Sequence, residues 1–227
     1  MNSDRLVWID CEMTGLDLGR DALVEVAVLV TDSELNVLGE GVDLVIRPPD
    51  EAVAQMHDVV RQMHTASGLI DEFAIGVTLE HANAVVLEYL REYVPEPAKT
   101  PLAGNTVHMD RLFLARDLPE VEAWLHYRNV DVSSIKELVR RWYPRVYYAS
   151  PGKTGNHRAL GDIRDSIDEL RYYRRTVFVP LPGPDSAASR EAAASVGEGL
   201  VADPRVAAEL IEPSAAETQR VAPNPYT

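Results

Sequence analysis

Two carboxylates stand one residue apart at the end of an apolar run, in Leu6-Val7-Trp8-Ile9-Asp10-Cys11-Glu12-Met13-Thr14-Gly15, and they are the first residues whose types and spacing imply chemistry. Side chains alternate along a strand, so Asp10 and Glu12 point the same way, about 6–7 Å apart. The residues before them are apolar on both faces, Leu6 and Trp8 on one and Val7 and Ile9 on the other, as in a central strand covered on both sides. Ionised carboxylates at its end face a large desolvation cost unless positive charge lies between them. A divalent metal answers that need, because hard cations take carboxylate oxygens. The plain alternative is a strand end before a Thr14-Gly15 turn.

Three later residues could complete such a site. Asp110 opens a helical segment after a Gly-Asn loop, where a carboxylate also favours a helix start by about 0.3–1 kcal/mol. Asp162 follows Gly161 in the middle of a helix expected from His157 to about Thr176. A glycine in a helix interior costs about 1 kcal/mol relative to alanine, and room for a ligand beside Asp162 is one gain from that cost. His157 precedes Asp162 by five residues. Taken singly, Asp110 reads as a helix-start charge, Asp162 as part of a solvated face with Asp165 and Glu169, and His157 as a capping or surface residue.

The apolar pattern gives the elements that must hold these residues. Ala22–Val30 and Val42–Ile46 read as further strands, making an antiparallel meander with the carboxylate strand. Short helices are expected between Asp50 and Phe73. Thr78–Val94 repeats its apolar residues at helical spacing and is ended by Pro95 and Pro97. A brief strand in 100–105, a helix from about Met109, a strand over Tyr127–Val132 and a helix capped by Ser133 or Ser134 through Trp142 follow; Ser134 and Glu137 have capping-box spacing. The sum is an α/β fold with a mixed sheet and a central carboxylate strand. From Pro180 onward the composition shifts: seven of the fifteen prolines lie there, among alanine, serine, glycine and glutamate. Residues 1–179 are therefore expected to form one domain and 180–227 a mostly disordered tail, with a transient helix near Val201–Ile211.

Composition excludes several classes. Hydrophobic residues at 46% and charged residues at 26% are ordinary for a soluble globular chain. The one cysteine, Cys11, lies inside the apolar strand and reads as a small buried hydrophobe. The N-terminus lacks the features of a signal peptide, and the longest apolar run, Ala22–Val30, is interrupted by Glu25 and too short to span a membrane. A cytoplasmic location is expected. The net charge of −14 argues against a broad footprint for long nucleic acid. The tail, with seven acidic and three basic residues from 181 onward, leaves most of that charge on the folded part.

Taken together, Asp10-x-Glu12, Asp110 and Asp162, with His157 five residues before the last, resemble the DEDDh branch of the RNase H-like 3′-to-5′ exonucleases. The longer blocks around Trp8–Asp17, His64–Leu69, His126–Ser133, Lys136–Leu138, His157–Arg164 and Arg171–Arg174 are similar to oligoribonuclease, from about Leu6 to Val179. The resemblance implies an RNase H-like mixed central sheet flanked by helices. It implies that Asp10, Glu12, Asp110 and Asp162 hold two Mg²⁺ or Mn²⁺ ions, and that His157 is the general base. Histidine's ordinary pKa of about 6.5 suits that task. It further implies a homodimer acting on short RNA oligonucleotides and dinucleotides, including linear products of cyclic di-GMP. Leu16 would wedge against the bases with Tyr127 from the partner subunit. His64, Thr106 and Ser133, with Arg128 from the partner subunit, would cap the 5′ phosphate. A capped dinucleotide needs no basic trough, so the acidic charge is no obstacle. The sequence departs from the family at Val59, where an aromatic residue is frequent, at Thr106, where serine is usual, and at Gly161, where an acidic residue is common. A proofreading or tRNA-trimming exonuclease of the same branch would call for a basic surface. A non-catalytic nucleotide-binding protein would have lost a carboxylate or the histidine.

Overall fold

Burial on both faces organises the molecule around its first two strands. A computed structural model describes residues 4–152 and 157–196. Strand β1 runs over Leu6–Met13 and β2 over Leu23–Thr31; all nine residues of β2 are buried. Strand β3, Val37–Val45, extends further toward the N-terminus than Val42–Ile46, because Val37 and Leu38 pair with Thr31 and Val30 across the preceding turn. The sheet is completed by β4, Pro101–Gly104, and β5, His126–Asp131, in the order β3-β2-β1-β4-β5. β1, β2 and β3 pair antiparallel, whereas β1, β4 and β5 pair parallel. The sheet is thus mixed, and β1 is its central strand, as the apolar pattern implies.

The helices are α1 (Asp50–Ala54), α2 (Asp58–Ala66), α3 (Leu69–Glu72), α4 (Leu79–Tyr93), α5 (Val107–Asp117), α6 (Pro119–Trp124), α7 (Val132–Trp142), α8 (Pro144–Tyr148), α9 (Ala159–Thr176) and α10 (Ser186–Val196). One face of the sheet, carrying Val7, Ile9, Cys11, Val26, Val28 and Val30, packs on Val86 and Leu90 of α4, Phe113 and Leu114 of α5 and Val121 of α6. The other apolar cluster joins Val24 to Met56, Val60, Leu69 and Phe73 of the α1–α3 region. Thr78 caps α4 by accepting the His81 N–H, at 3.2 Å, as expected of a threonine at that position.

Three expectations are corrected. Helix α9 begins at Ala159, so His157 lies in the loop before it, with φ +50°. Asp162 consequently stands in the first turn of α9, where a carboxylate complements the helix dipole. Helix α7 starts at Val132, and the Ser133 N–H is taken by Asp131 at 2.8 Å, so Asp131 rather than Ser133 or Ser134 serves its N-terminus. Pro144 ends α7 and opens α8, a first-turn position where its missing N–H costs nothing. Helix α10, rich in alanine and without buried residues, lies in the segment expected as a tail. The helix expected near Val201–Ile211 falls outside the described residues.

The described residues divide between two compact units, Met1–Ile135 with Pro151–Arg171 and Lys136–Ser150 with Tyr172–Thr227. The first contains the sheet and every residue of the candidate site. The second contains α8, where the Val146 carbonyl accepts the Tyr172 hydroxyl at 2.8 Å.

Candidate active site

β1 delivers two of the acidic residues on one face, and the fold brings a third to them. Oxygens of Asp10, Glu12 and Asp162 lie within 4.8 Å of one another; Glu12 is buried, and Asp10 and Asp162 keep partial access to solvent. Asp110, buried in the first turn of α5, stands beside them, and its Oδ1 accepts the backbone N–H of Cys11 at 2.9 Å. That bond crosses from helix to strand between the two carboxylates of β1 and fixes Asp110 against the pair. Cys11 itself is buried.

The electrostatics are those of like charges held in a poor solvent for them. Loss of hydration pushes Asp10 well above the ordinary carboxylate range, and Asp110, Glu12 and Asp162 add to the effect in that order. Glu12 is raised likewise, first by burial and then by Asp162 and Glu25. Burial lifts Asp110 to about 7, against the opposing pull of the Cys11 N–H. Carboxylates so placed are stabilised by a cation among them. The donor set, hard oxygens converging within one ion's reach, fits Mg²⁺ or Mn²⁺ and offers no soft ligand.

Glu25 is directly opposite Glu12 in the β1–β2 ladder and has a different fate. Its Oε1 accepts Arg158 Nε at 2.7 Å, and its Oε2 accepts the N–H of Ala159, the first residue of α9, at 3.0 Å. Arg158 also holds Glu72 of α3 at 2.7 Å. The loop carrying His157 and the turn carrying Asp162 are thereby anchored to the strand next to β1. In sequence Glu25 is only an interruption of an apolar run, because its partner lies 133 residues away.

The loop after β1 is equally fastened. Asp21, buried, accepts the Asp17 N–H at 2.9 Å, and the Thr14 hydroxyl accepts the Ala22 N–H at 2.9 Å. A side chain on Gly15 would place its Cβ 2.3 Å from Asp21 Oδ2, so glycine is required there. This frame presents Leu16, which is 37% exposed.

The other residues singled out in sequence fall into two sets. Thr106 and Ser133 meet, their hydroxyl oxygens 3.0 Å apart, at the head of α5 and α7. His64 is buried in α2, with Nε2 2.9 Å from the Met13 carbonyl, while its Nδ1 has no hydrogen-bond partner among the described residues. Tyr127 and Arg128 are on edge strand β5, exposed, with the Arg128 guanidinium 5.6 Å from the Tyr127 ring centre. Val59 is exposed on α2. Asn105 and Asp131, which join Thr106 and Ser133, escaped the sequence reading because polar loop residues are common and give no periodic signal.

A mixed sheet with a carboxylate pair on its central strand, answered by acids from two flanking helices, defines a nuclease of the exonuclease class, and the exonuclease family model matches residues 7–170. In structure the chain is similar to E. coli exonuclease I solved with single-stranded DNA and zinc, with a TM-score of 0.60 and 16% identity, over 77% of this chain and 41% of that one. Exonuclease I of Methylocaldum szegediense gives a TM-score of 0.55 at 22% identity, over 77% of this chain and 41% of that one. These likenesses concern the fold. In sequence, the chain is 70% identical to the oligoribonuclease of Streptomyces griseus over 192 residues, 85% of this chain and 96% of that protein. It is 57% identical to that of Mycobacterium tuberculosis, over 86% of this chain and 92% of that one. The chain belongs to the oligoribonuclease family. Among the described residues, no helix is long and apolar enough to cross a membrane.

Proposed function

We propose that this protein is a 3′-to-5′ exoribonuclease of the cytoplasm that degrades very short RNA, dinucleotides above all and among them linear products of cyclic di-GMP, to mononucleotides. The observation that carries the reading is the convergence of Asp10, Glu12 and Asp162, with Asp110 beside them, on the central strand of an oligoribonuclease chain. Those four carboxylates would hold two divalent ions, Mg²⁺ or Mn²⁺, which when bound supply charge neutralisation at the scissile phosphate. His157, in the loop beside Asp162, takes the proton of the attacking water. Leu16, on its fastened loop, meets the bases. His64, Thr106 and Ser133 receive the 5′ phosphate. Exposed Tyr127 and Arg128 on the edge strand serve the partner subunit's site in a homodimer.

Incubation of the protein with a 5′-labelled RNA dinucleotide and a seven-residue RNA, in Mg²⁺ or in EDTA, tests the reading. Faster initial cleavage of the dinucleotide, abolished by EDTA, is expected. Equal or faster cleavage of the longer RNA would remove the dinucleotide preference, and undiminished cleavage in EDTA would remove the metals.

A further inference from the structure

A continuous chain of hydrogen bonds joins the Asp162 turn to the hydroxyl pair of Thr106 and Ser133, and its proton order is forced. Ser166 donates to the Asp162 carbonyl at 2.8 Å. Asn105 Nδ2 donates to Ser166 Oγ at 2.8 Å and to Glu169 Oε2 at 3.2 Å. Ser166 and Glu169 are both buried. The Ser166 proton is already given to a carbonyl, so the Asn105 amide must turn its nitrogen toward Ser166, and the same nitrogen reaches Glu169 Oε2. Its oxygen therefore faces Ser133, whose hydroxyl donates to Asn105 Oδ1 at 3.0 Å. With that proton committed, Ser133 can meet Thr106 only as an acceptor, and the Thr106 hydroxyl donates at 3.0 Å.

The backbone adds a second tie. One oxygen of Asp131 accepts both the Thr106 N–H, at 3.1 Å, and the Ser133 N–H, at 2.8 Å. Thr106 is held at φ +59°, a left-handed conformation costly for a β-branched residue. The two hydroxyls are thus fixed to each other by Asp131 and to α9 by Asn105.

We infer that Asn105, oriented by Glu169 and Ser166, is a specificity-determining positioning residue: it ties the 5′-phosphate-binding hydroxyls to the turn that carries Asp162, so that one hydrogen-bond chain sets the span the substrate must fill. The inference rests on the proposed function, in which Thr106 and Ser133 receive the 5′ phosphate. Within the pair, Thr106 is the donor to phosphate, since its proton can swing from Ser133 to a phosphate oxygen. The Ser133 proton stays with Asn105.

Affinity measured in EDTA, for 5′-phosphorylated and 5′-hydroxyl forms of one RNA dinucleotide, separates this role from a merely structural one. The unaltered protein is expected to favour the phosphorylated form by about tenfold or more, the worth of charge-assisted hydrogen bonds. Asn105→Ala should reduce that preference to about threefold or less while leaving the 5′-hydroxyl dinucleotide within about twofold. Equal loss for both forms would mean a structural role and overturn the inference. A preference kept in Asn105→Ala would overturn it while leaving the phosphate cap in place. Absence of any preference in the unaltered protein would remove the cap and the inference together. Should Asn105→Ala not fold, the double exchange Ser166→Ala with Glu169→Met removes the acceptors that orient the amide. It should lower the preference by about threefold, and an unchanged preference would again overturn the inference.

Discussion

Two clusters of acid lie side by side at the end of the β1–β2 ladder, and they are solved differently. Glu12 and Glu25 face each other across the strands. Glu25 and Glu72 receive a cation from the chain itself, Arg158, and Glu25 takes a helix N–H as well. Asp10 and Glu12 are pressed against Asp110 and Asp162, and neither Asp10 nor Glu12 has an ion pair with an arginine or lysine among the described residues. An arginine that bonds Glu25 directly and acts on Glu12 only through space shows that the fold can neutralise acid here. The charge left over is the part of the site meant for an ion from solution.

The contrast predicts opposite behaviour on neutralisation. Glu12→Gln should lower turnover by about 10³-fold or more, about 4 kcal/mol of transition-state stabilisation, and raise the melting temperature of the metal-free protein. Steady-state rates and thermal melts in EDTA check both; a falling melting temperature would make Glu12 as structural as Glu25. Arg158→Met leaves Glu25 buried without its cation and should cost about 3 kcal/mol of unfolding free energy in urea titrations.

A titration separates the clusters next. Asp110 holds its proton up to about pH 7 in the folded metal-free protein, above the range of an unfolded aspartate. The folded state thus binds a proton that the unfolded chain has released. That stabilisation is complete below about pH 4 and disappears as pH rises through about 7. Melting temperature in EDTA should fall from about pH 5 to about pH 8, and Mg²⁺ should restore it at the upper end. A flat profile would show that the acids are relieved by some other contact. The smallest effect belongs to Glu72→Gln: its side chain is 40% exposed, so losing this arm of the Arg158 bridge should cost about 0–1 kcal/mol by the same titrations.

Where sequence reading succeeded, the signal was local. Asp10 and Glu12 interrupt an apolar strand at period two, and no requirement of a core explains them. Their strand, its meander with β2 and β3 and its central place follow from the same pattern. Where it fell short, the determining contact was distant or polar. The start of α9 depends on Glu25, more than a hundred residues earlier, and so the histidine expected in a helix stands in the loop before it. Asp131 displaced Ser133 and Ser134 as the cap of α7 because a carboxylate at the end of β5 reaches two backbone N–H groups at once. The link from Thr106 through Asn105 to α9 had no sequence pattern to betray it.

The bond from Cys11 to Asp110 has a practical side. Its donor is the main-chain N–H, which any residue but proline at position 11 retains, while the thiol adds a second, side-chain bond to Asp110. The sole thiol of the chain can be exchanged for alanine or serine without removing that donor. A protein freed of its native cysteine then accepts a single new one at a site of choice, Tyr127 or Leu16 for example, as a handle for a fluorophore or a spin label.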